Sequence, residues 1–206
     1  TSGTGADRIW NTQTGEAIRA AARLDQRITS PVYDRTGAKL AFGYGQDVMV
    51  RDARSGAALL VLKGHKRPVD RVAFSPDGKT LASSGLDGVI RLWNAETGAL
   101  LGELDNPLLS ANAQAAALPE RRLAPQIAFS PDGRLLGSGS FQSEVRVWEI
   151  ASLRLAKTLA TDGESVVGVA FSPDGNAIAA MSRVTTGGRL QVWDFGNGVP
   201  RLFLGQ

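Results

Sequence analysis

The 206-residue chain is 43% hydrophobic and 21% charged, and its 23 Lys and Arg against 20 Asp and Glu give a formal net charge of +3 at pH 7. These values are typical of a globular protein and argue against extensive disorder. The absence of cysteine excludes disulfides, thiol nucleophiles and thiolate metal sites. Apolar stretches are far shorter than the roughly 20 residues of a membrane helix, and residues 1–10 do not resemble a signal peptide, so we expect no membrane association and a cytoplasmic location.

A tetrapeptide turn recurs along the chain and marks a structural repeat. Pro fixes φ at the second position of the turn, and Asp-Gly then supplies a turn-favouring side chain and a residue that adopts positive φ. Successive copies start 41, 55 and 42 residues apart. The copies are a degenerate Asp34-Arg35-Thr36-Gly37 and three Ser-Pro-Asp-Gly turns that begin at Ser75, Ser130 and Ser172. Each turn predicts a hairpin of two antiparallel strands.

A strand-like segment that ends in Trp accompanies most copies of the repeat. These segments end at Trp10, Trp93, Trp148 and Trp193, whereas the degenerate copy has Arg51 at this position. A glycine five residues later marks a second turn in most copies. Four short strands in a period of about 40 to 45 residues describe a propeller blade. The sequence therefore predicts an all-β protein, a β-propeller of four-stranded antiparallel blades.

Counting the repeats predicts a single propeller segment with an incomplete ring. Residues 1–25 supply half a blade, residues 26–62, 63–104, 121–159 and 162–204 supply four blades, and residues 105–125 are an insertion between blades. The insertion contains helix-forming residues at 111–118. Two interpretations remain, a segment that binds a partner and a surface loop without a function. Four and a half blades leave strand edges and an apolar blade face uncovered, so we expect the remaining blades of a longer chain, self-association, or an unusual small closed propeller.

The most regular repeat resembles the WD-repeat (WD40) family. The residues that carry the resemblance are Gly64-His65, the turn Ser75–Gly78, Leu81-Ala82-Ser83, Asp87-Gly88, Ile90-Arg91-Leu92-Trp93 and Trp193-Asp194. The resemblance implies a hydrogen-bonded network inside one blade, formed by His65, Ser83, Asp87 and Trp93. The other repeats depart from the pattern, since Gln142 stands at the position of the loop Asp and no second Gly-His occurs.

The network gives the single histidine a structural role. One His without Cys cannot build an ordinary imidazole or thiolate metal site, and the sequence offers no Ser-His-Asp set at a recognised spacing and no phosphate-cradling loop before a helix. We therefore predict no catalytic residue, no metal site and no cofactor. A metal-ligand or general-base role for His65 is the alternative.

The leading functional hypothesis is a non-catalytic scaffold that binds a protein or peptide through its blade-connecting loops. The candidate contact residues, all predicted at the His65 end of the blades, are Tyr44, Lys66, Arg67, Leu86 and Phe141. The first alternative is a sensor or regulatory arm of a larger multidomain effector, and a propeller enzyme is another. Nucleic-acid binding is disfavoured because the arginines are spread along the chain. The Arg- and Ala-rich, Cys-free composition resembles that of high-GC bacterial proteins.

Overall fold

The computed structural model describes residues 8–10, 17–20, 28–106, 126–140, 143–163, 165–184, 187–196 and 199–204. In this part of the chain every regular element is a strand, and within each sheet the strands that are consecutive in sequence pair antiparallel. No helix long and apolar enough to cross a membrane occurs among these residues. The predicted all-β class is confirmed.

Four sheets of four strands follow a short two-stranded sheet. The two-stranded sheet pairs β1 (Arg8–Trp10) with β2 (Ala17–Ala20). Blade 1 contains β3 (Ile28–Tyr33), β4 (Lys39–Tyr44), β5 (Asp47–Asp52) and β6 (Ala58–Leu62). Blade 2 contains β7 (Val69–Phe74), β8 (Thr80–Gly85), β9 (Val89–Asn94) and β10 (Leu100–Asp105).

The last two sheets have the same meandering order. Blade 3 contains β11 (Ile127–Phe129), β12 (Leu135–Gly139), β13 (Glu144–Glu149) and β14 (Arg154–Ala160). Blade 4 contains β15 (Ser165–Phe171), β16 (Ala177–Val184), β17 (Gly187–Asp194) and β18 (Pro200–Leu204). Of the predicted insertion, Asp105 ends β10 and Asn106 follows it, and residues 107–125 lie outside the described residues, as does the predicted helix-forming run.

The Ser-Pro-Asp-Gly turns close the first hairpin of blades 2, 3 and 4. In blade 2 the Ser75 hydroxyl donates to Asp77 Oδ1 over 2.6 Å and accepts the backbone N–H of Thr80 over 2.9 Å. Gly78 has φ of 72°, a region that favours glycine because it has no Cβ. The same bonds recur from Ser130 to Asp132 and from Ser172 to Asp174. At Asp174 the hydrogen bonds from Ser172 and Asn176 lower the pKa of the carboxyl to about 2.

The blades pack face to face, and the alternation of each strand sends side chains to both neighbours. Three buried clusters fill the blade interfaces. The cluster between blades 1 and 2 includes Val48, Val50, Leu62, Val69, Val72, Leu81 and Trp93. The cluster between blades 2 and 3 contains Ala82, Ile90, Leu92, Leu104, Leu136 and Trp148. The cluster between blades 3 and 4 includes Val145, Val147, Leu159, Val166, Ile178, Ala180 and Trp193.

The far face of blade 4 is not covered by any described blade. Met181 on this face is 49% exposed. Met181 pairs across the sheet with Leu190. The corresponding pair in blade 2 is Ser84 with Ile90, and there blade 3 covers this face of the sheet. The four described blades therefore form an open arc.

Replacing Leu92 with Ala tests the packing between blades. Leu92 is 0% exposed in the cluster between blades 2 and 3, so we expect Leu92→Ala to lower the free energy of unfolding by about 2 to 5 kcal/mol in urea titrations. Leu101→Ala is the matched control, since Leu101 is 49% exposed and its loss is expected to change stability by less than about 0.5 kcal/mol. Equal losses for the two variants would contradict the described interface.

Candidate functional site

The connection between blades 1 and 2 lies at the same end as the tight turn between β8 and β9. Residues 63–68 lead from β6 into β7, and residues 86–88 join β8 to β9. Backbone bonds fasten these segments, since Leu86 N–H donates to Pro68 O over 2.9 Å and Val69 N–H donates to Gly45 O over 2.7 Å. Two neighbouring blades thus hold one loop.

His65 anchors this loop inside blade 2. Its Nδ1 lies 3.0 and 3.1 Å from the two carboxylate oxygens of Asp87, and its Nε2 lies 2.8 Å from the hydroxyl of Ser83. That hydroxyl oxygen accepts the indole Nε1–H of Trp93 over 2.9 Å. The structure therefore brings together all four residues of the predicted network.

The chain of donors and acceptors assigns the histidine tautomer. Because the Asp87 carboxylate can only accept, Nδ1 carries the proton and donates to Asp87. Nε2 then accepts the Ser83 O–H, whose oxygen accepts the indole N–H of Trp93. Asp87 also accepts the backbone N–H of Lys66 over 2.9 Å. The network therefore fixes both the ring and the backbone that carries it.

Arg91 completes the network, although it was not among the predicted residues. Its side chain is buried, with Nη1 3.0 Å from Asp87 Oδ2 and Nε 2.9 Å from Glu103 Oε1. Nη1 also lies 2.8 Å from Nδ1 of His65, and the Asp87 carboxylate accepts hydrogen bonds from both nitrogens. Arg91 pairs across the sheet with Ser83, two residues before Trp93, so strand alternation places all three side chains on one face. This alternation was the available signal, but a strand arginine is usually exposed.

The packing around the histidine excludes a side chain at Gly85. A Cβ atom at this position would lie against Nδ1 of His65 and the carboxylate of Asp87. His65 and Ser83 are 5% and 0% exposed. The end of β8 therefore needs glycine because the imidazole occupies the space beside it.

The other blades keep only parts of the network. In blade 3 the indole of Trp148 donates to Ser138 over 2.9 Å, and the buried Asn106 donates from Nδ2 to Gly139 O. In blade 4 the strand pairing places Ala180 where blade 2 has Ser83, so the hydroxyl is absent. In blade 1 the equivalent position is Phe42. Gln142 lies outside the described residues.

Burial controls the ionisation of His65. Desolvation lowers the pKa of the imidazole below its ordinary value of 6.5, the hydrogen bond and charge of Asp87 oppose this shift, and the Arg91 charge adds to it. Burial raises the pKa of Asp87, but hydrogen bonds from Lys66 and His65 outweigh burial and leave the pKa of the carboxyl below 3.8. At neutral pH the site therefore contains a neutral imidazole and an ionised carboxylate.

Ser83, His65 and Asp87 stand in the hydrogen-bond order of a catalytic triad, although no such set was recognised from their spacing. The Ser83 hydroxyl is fully buried, and the Trp93 indole already uses its oxygen. A nucleophilic serine must reach a substrate carbonyl, which this packing prevents. Within the described ranges no three His, Cys, Asp or Glu side chains form a group that could hold a metal ion. The arrangement serves to hold a loop.

The predicted contact residues lie at this end of the blades where the structure describes them. Lys66 and Arg67 are exposed on the anchored loop, Leu86 is half-buried in the turn beside it, and Tyr44 is half-buried at the end of β4. Phe141 lies outside the described residues. Four of the five candidates therefore surround the connection between blades 1 and 2.

Comparison with known families agrees with this geometry. The model of the family described as "WD domain, G-beta repeat" matches residues 56–94 and 126–149. The structure resembles a chain in the crystal structure of a mitotic checkpoint complex with a TM-score of 0.79 and 20% identity, over 95% of this chain and 56% of that chain. The chain therefore contains WD repeats at these two stretches. The fold is a WD-repeat propeller whose ring is not closed in the described residues.

Several curated proteins are similar to this WD-repeat chain over part of their length. A periodic tryptophan protein 2 homolog of Dictyostelium discoideum is 26% identical over 75% of this chain and 21% of that protein. Mouse apoptotic protease-activating factor 1 is 33% identical over 58% of this chain and 8% of that protein. Transcription initiation factor TFIID subunit 5 of Caenorhabditis elegans is 28% identical over 64% and 24%. The chain thus spans a quarter or less of these relatives, and their eukaryotic origin gives the expected bacterial source no support.

Two serine variants separate the histidine contact from the tryptophan contact. Ser83→Ala and Ser138→Ala each remove a buried acceptor for a tryptophan N–H, but only Ser83→Ala also leaves a buried histidine nitrogen unpaired. We expect Ser83→Ala to lower the free energy of unfolding by about 1 to 3 kcal/mol and to exceed the loss from Ser138→Ala by about 1 kcal/mol. Urea titrations measure both, and a larger loss from Ser138→Ala would contradict the network.

The lone histidine predicts a pH dependence of stability. Its pKa is lower in the folded state than in the unfolded state, so its contribution to stability is present above pH 6.5 and is lost as pH falls below this value. One proton limits the slope to about 1.4 kcal/mol per pH unit. Urea titrations from pH 8 to pH 5 are expected to show this loss, and His65→Gln is expected to remove it. Asp87 and Asp77 have pKa values below 3.8, so these carboxyl groups change stability only at pH values below this titration range. An unchanged slope in His65→Gln would therefore refute the assignment to His65.

Proposed function

We propose that this chain is a non-catalytic interaction scaffold that binds a protein or peptide partner through the loops connecting its blades. The proposal rests on the hydrogen bonds that fix the loop between blades 1 and 2. Val69 N–H bonds to Gly45 O, Leu86 N–H bonds to Pro68 O, and the buried His65 holds the loop from within. A surface whose backbone is already ordered loses little conformational entropy when a partner binds.

The comparisons support an interaction role over catalysis. One similar protein is named as a subunit of a transcription initiation factor, and the similar structure is that of a mitotic checkpoint complex. Both names describe assemblies of several proteins. The residues with the order of a catalytic triad are buried and structural, so the non-catalytic role belongs to the same proposal.

A second candidate function is a sensor or regulatory arm of a larger multidomain effector. The relatives support it because this chain spans only 8% to 24% of their length. The uncovered face of blade 4 around Met181 would then contact further blades or a second copy of the chain. A cytoplasmic location remains part of the proposal, and nucleic-acid binding is the weaker alternative.

Peptides selected from a random phage-displayed library test the scaffold function. We expect the selected peptides to bind the loop end, so that Leu86→Asp weakens their binding by about tenfold, because a charge replaces a half-buried apolar contact. Isothermal titration calorimetry measures the affinities.

Leu101→Asp is the matched control, because Leu101 lies on the exposed outer strand of blade 2. Thermal unfolding of both variants checks that they remain folded. Selected peptides that bind Leu86→Asp as tightly as the parent chain, or no selected peptides at all, would refute binding at the loop end.

A further inference from the structure

The loop between blades 1 and 2 carries three cationic side chains in five residues. Lys63, Lys66 and Arg67 are exposed, and the segment 63–68 contains no acidic residue. None of the three forms an ion pair with a described residue. Their charges are therefore not compensated within the part of the blades that the structure describes.

Three carboxylates close to this loop in the sequence or in the blade 2 network are already paired. Asp87 accepts hydrogen bonds from His65, Arg91 and the Lys66 backbone, and Arg91 also pairs with Glu103. Asp70, which follows the loop, pairs with Arg71 over 3.1 Å. These acidic groups face into the blade or pair with other arginines, which leaves the exposed lysines and Arg67 available to an external anion.

The loop presents these cations on an ordered backbone. Lys66 N–H donates to Asp87, and the carbonyl of Pro68 accepts the N–H of Leu86. Most of the ordering cost of the backbone is met during folding, so only the long side chains lose freedom on binding. An anionic partner can therefore gain from charge complementarity at this loop.

Apolar surface lies beside the cations. Leu86 is half-buried in the turn that bonds to Pro68, and Tyr44 is half-buried next to Gly45, the acceptor of the Val69 N–H. Nucleic acids bind best to a longer basic surface that follows their phosphates. The net charge of this chain is only +3, which does not favour such a surface. Three cations beside an apolar turn fit a short acidic peptide with an apolar side chain better.

We propose that the loop formed by residues 63–68 binds an acidic peptide segment, with Lys63, Lys66 and Arg67 pairing with its anionic groups and Leu86 contacting an apolar side chain. The inference rests on the scaffold function and names the chemistry of its partner. Side-chain carboxylates and phosphoserine both supply anionic oxygens that pair with Lys and Arg, and they are two sources of this chemistry.

Fluorescence anisotropy with a defined probe tests the proposal. The probe is a fluorescein-labelled peptide in which pairs of Glu and Asp alternate with Leu and Phe, and its control has Gln and Asn at the acidic positions. We expect the acidic peptide to bind at least about tenfold more tightly than the control. Its affinity is expected to fall as salt rises from roughly 50 to 200 mM, because exposed charges are screened. An unlabelled peptide with phosphoserine at the acidic positions is used as a competitor. Its affinity relative to that of the acidic peptide shows whether phosphates or carboxylates bind more tightly.

Charge reversal locates the binding surface. Lys66→Glu/Arg67→Glu is expected to weaken binding of the acidic peptide by at least about tenfold. The matched control is Arg35→Glu/Arg154→Glu, which makes the same change in charge at two exposed positions at the opposite end of the blades. Equal weakening in both double variants would show an effect of net charge alone and would overturn the proposal.

The remaining outcomes separate this inference from the scaffold function. If the acidic probe does not bind while library-selected neutral peptides bind in a Leu86-dependent manner, the scaffold function stands and the acidic partner is wrong. If neither kind of peptide binds, both proposals fail. A single-stranded oligonucleotide that binds more tightly than the acidic peptide and loses affinity in Lys66→Glu/Arg67→Glu would assign the loop to nucleic acid and overturn the peptide proposal.

Discussion

The structure depends on covering both faces of each four-stranded sheet. In blade 2, Leu81 and Trp93 face blade 1, whereas Ala82 and Leu92 face blade 3. Residues that are adjacent along a strand therefore contribute to different interfaces. This constraint explains why the inner strands β8 and β9 are buried on both faces, and why a blade is stable only between neighbours. The repeat in the sequence follows from the repeated interface.

The polar network of blade 2 adds a second constraint to this apolar packing. Burying His65, Asp87 and Arg91 is favourable only if their donors and acceptors are paired, because an unpaired buried polar group costs more than a surface bond contributes. The pairing fastens the loop to strands β8 and β9 at the same time. The polar interior of blade 2 therefore lies beside a hydrogen-bonded connecting loop, and the proposed function uses this relation.

Much of the fold was predictable because its signals are local. Positive φ at Gly78 and the bond from Ser75 to Asp77 follow from the turn residues themselves, and these turns set where the strands begin. The network of His65, Ser83, Asp87 and Trp93 followed from the family resemblance. The burial of Arg91 could not be predicted in the same way, because it depends on carboxylates that the fold brings from the β8–β9 turn and from β10.

Exposure of the last blade has a different origin from exposure of the loop. Met181 is exposed because no described blade covers the face that blade 3 covers in blade 2, and the position is apolar because the repeat is built for such contact. Lys66 and Arg67 are exposed on a loop that the fold has already completed and braced. An apolar blade face favours another sheet of similar chemistry, while a braced cationic loop favours a charged and smaller partner. The two surfaces can therefore be occupied independently, one by structural neighbours and the other by the proposed peptide partner.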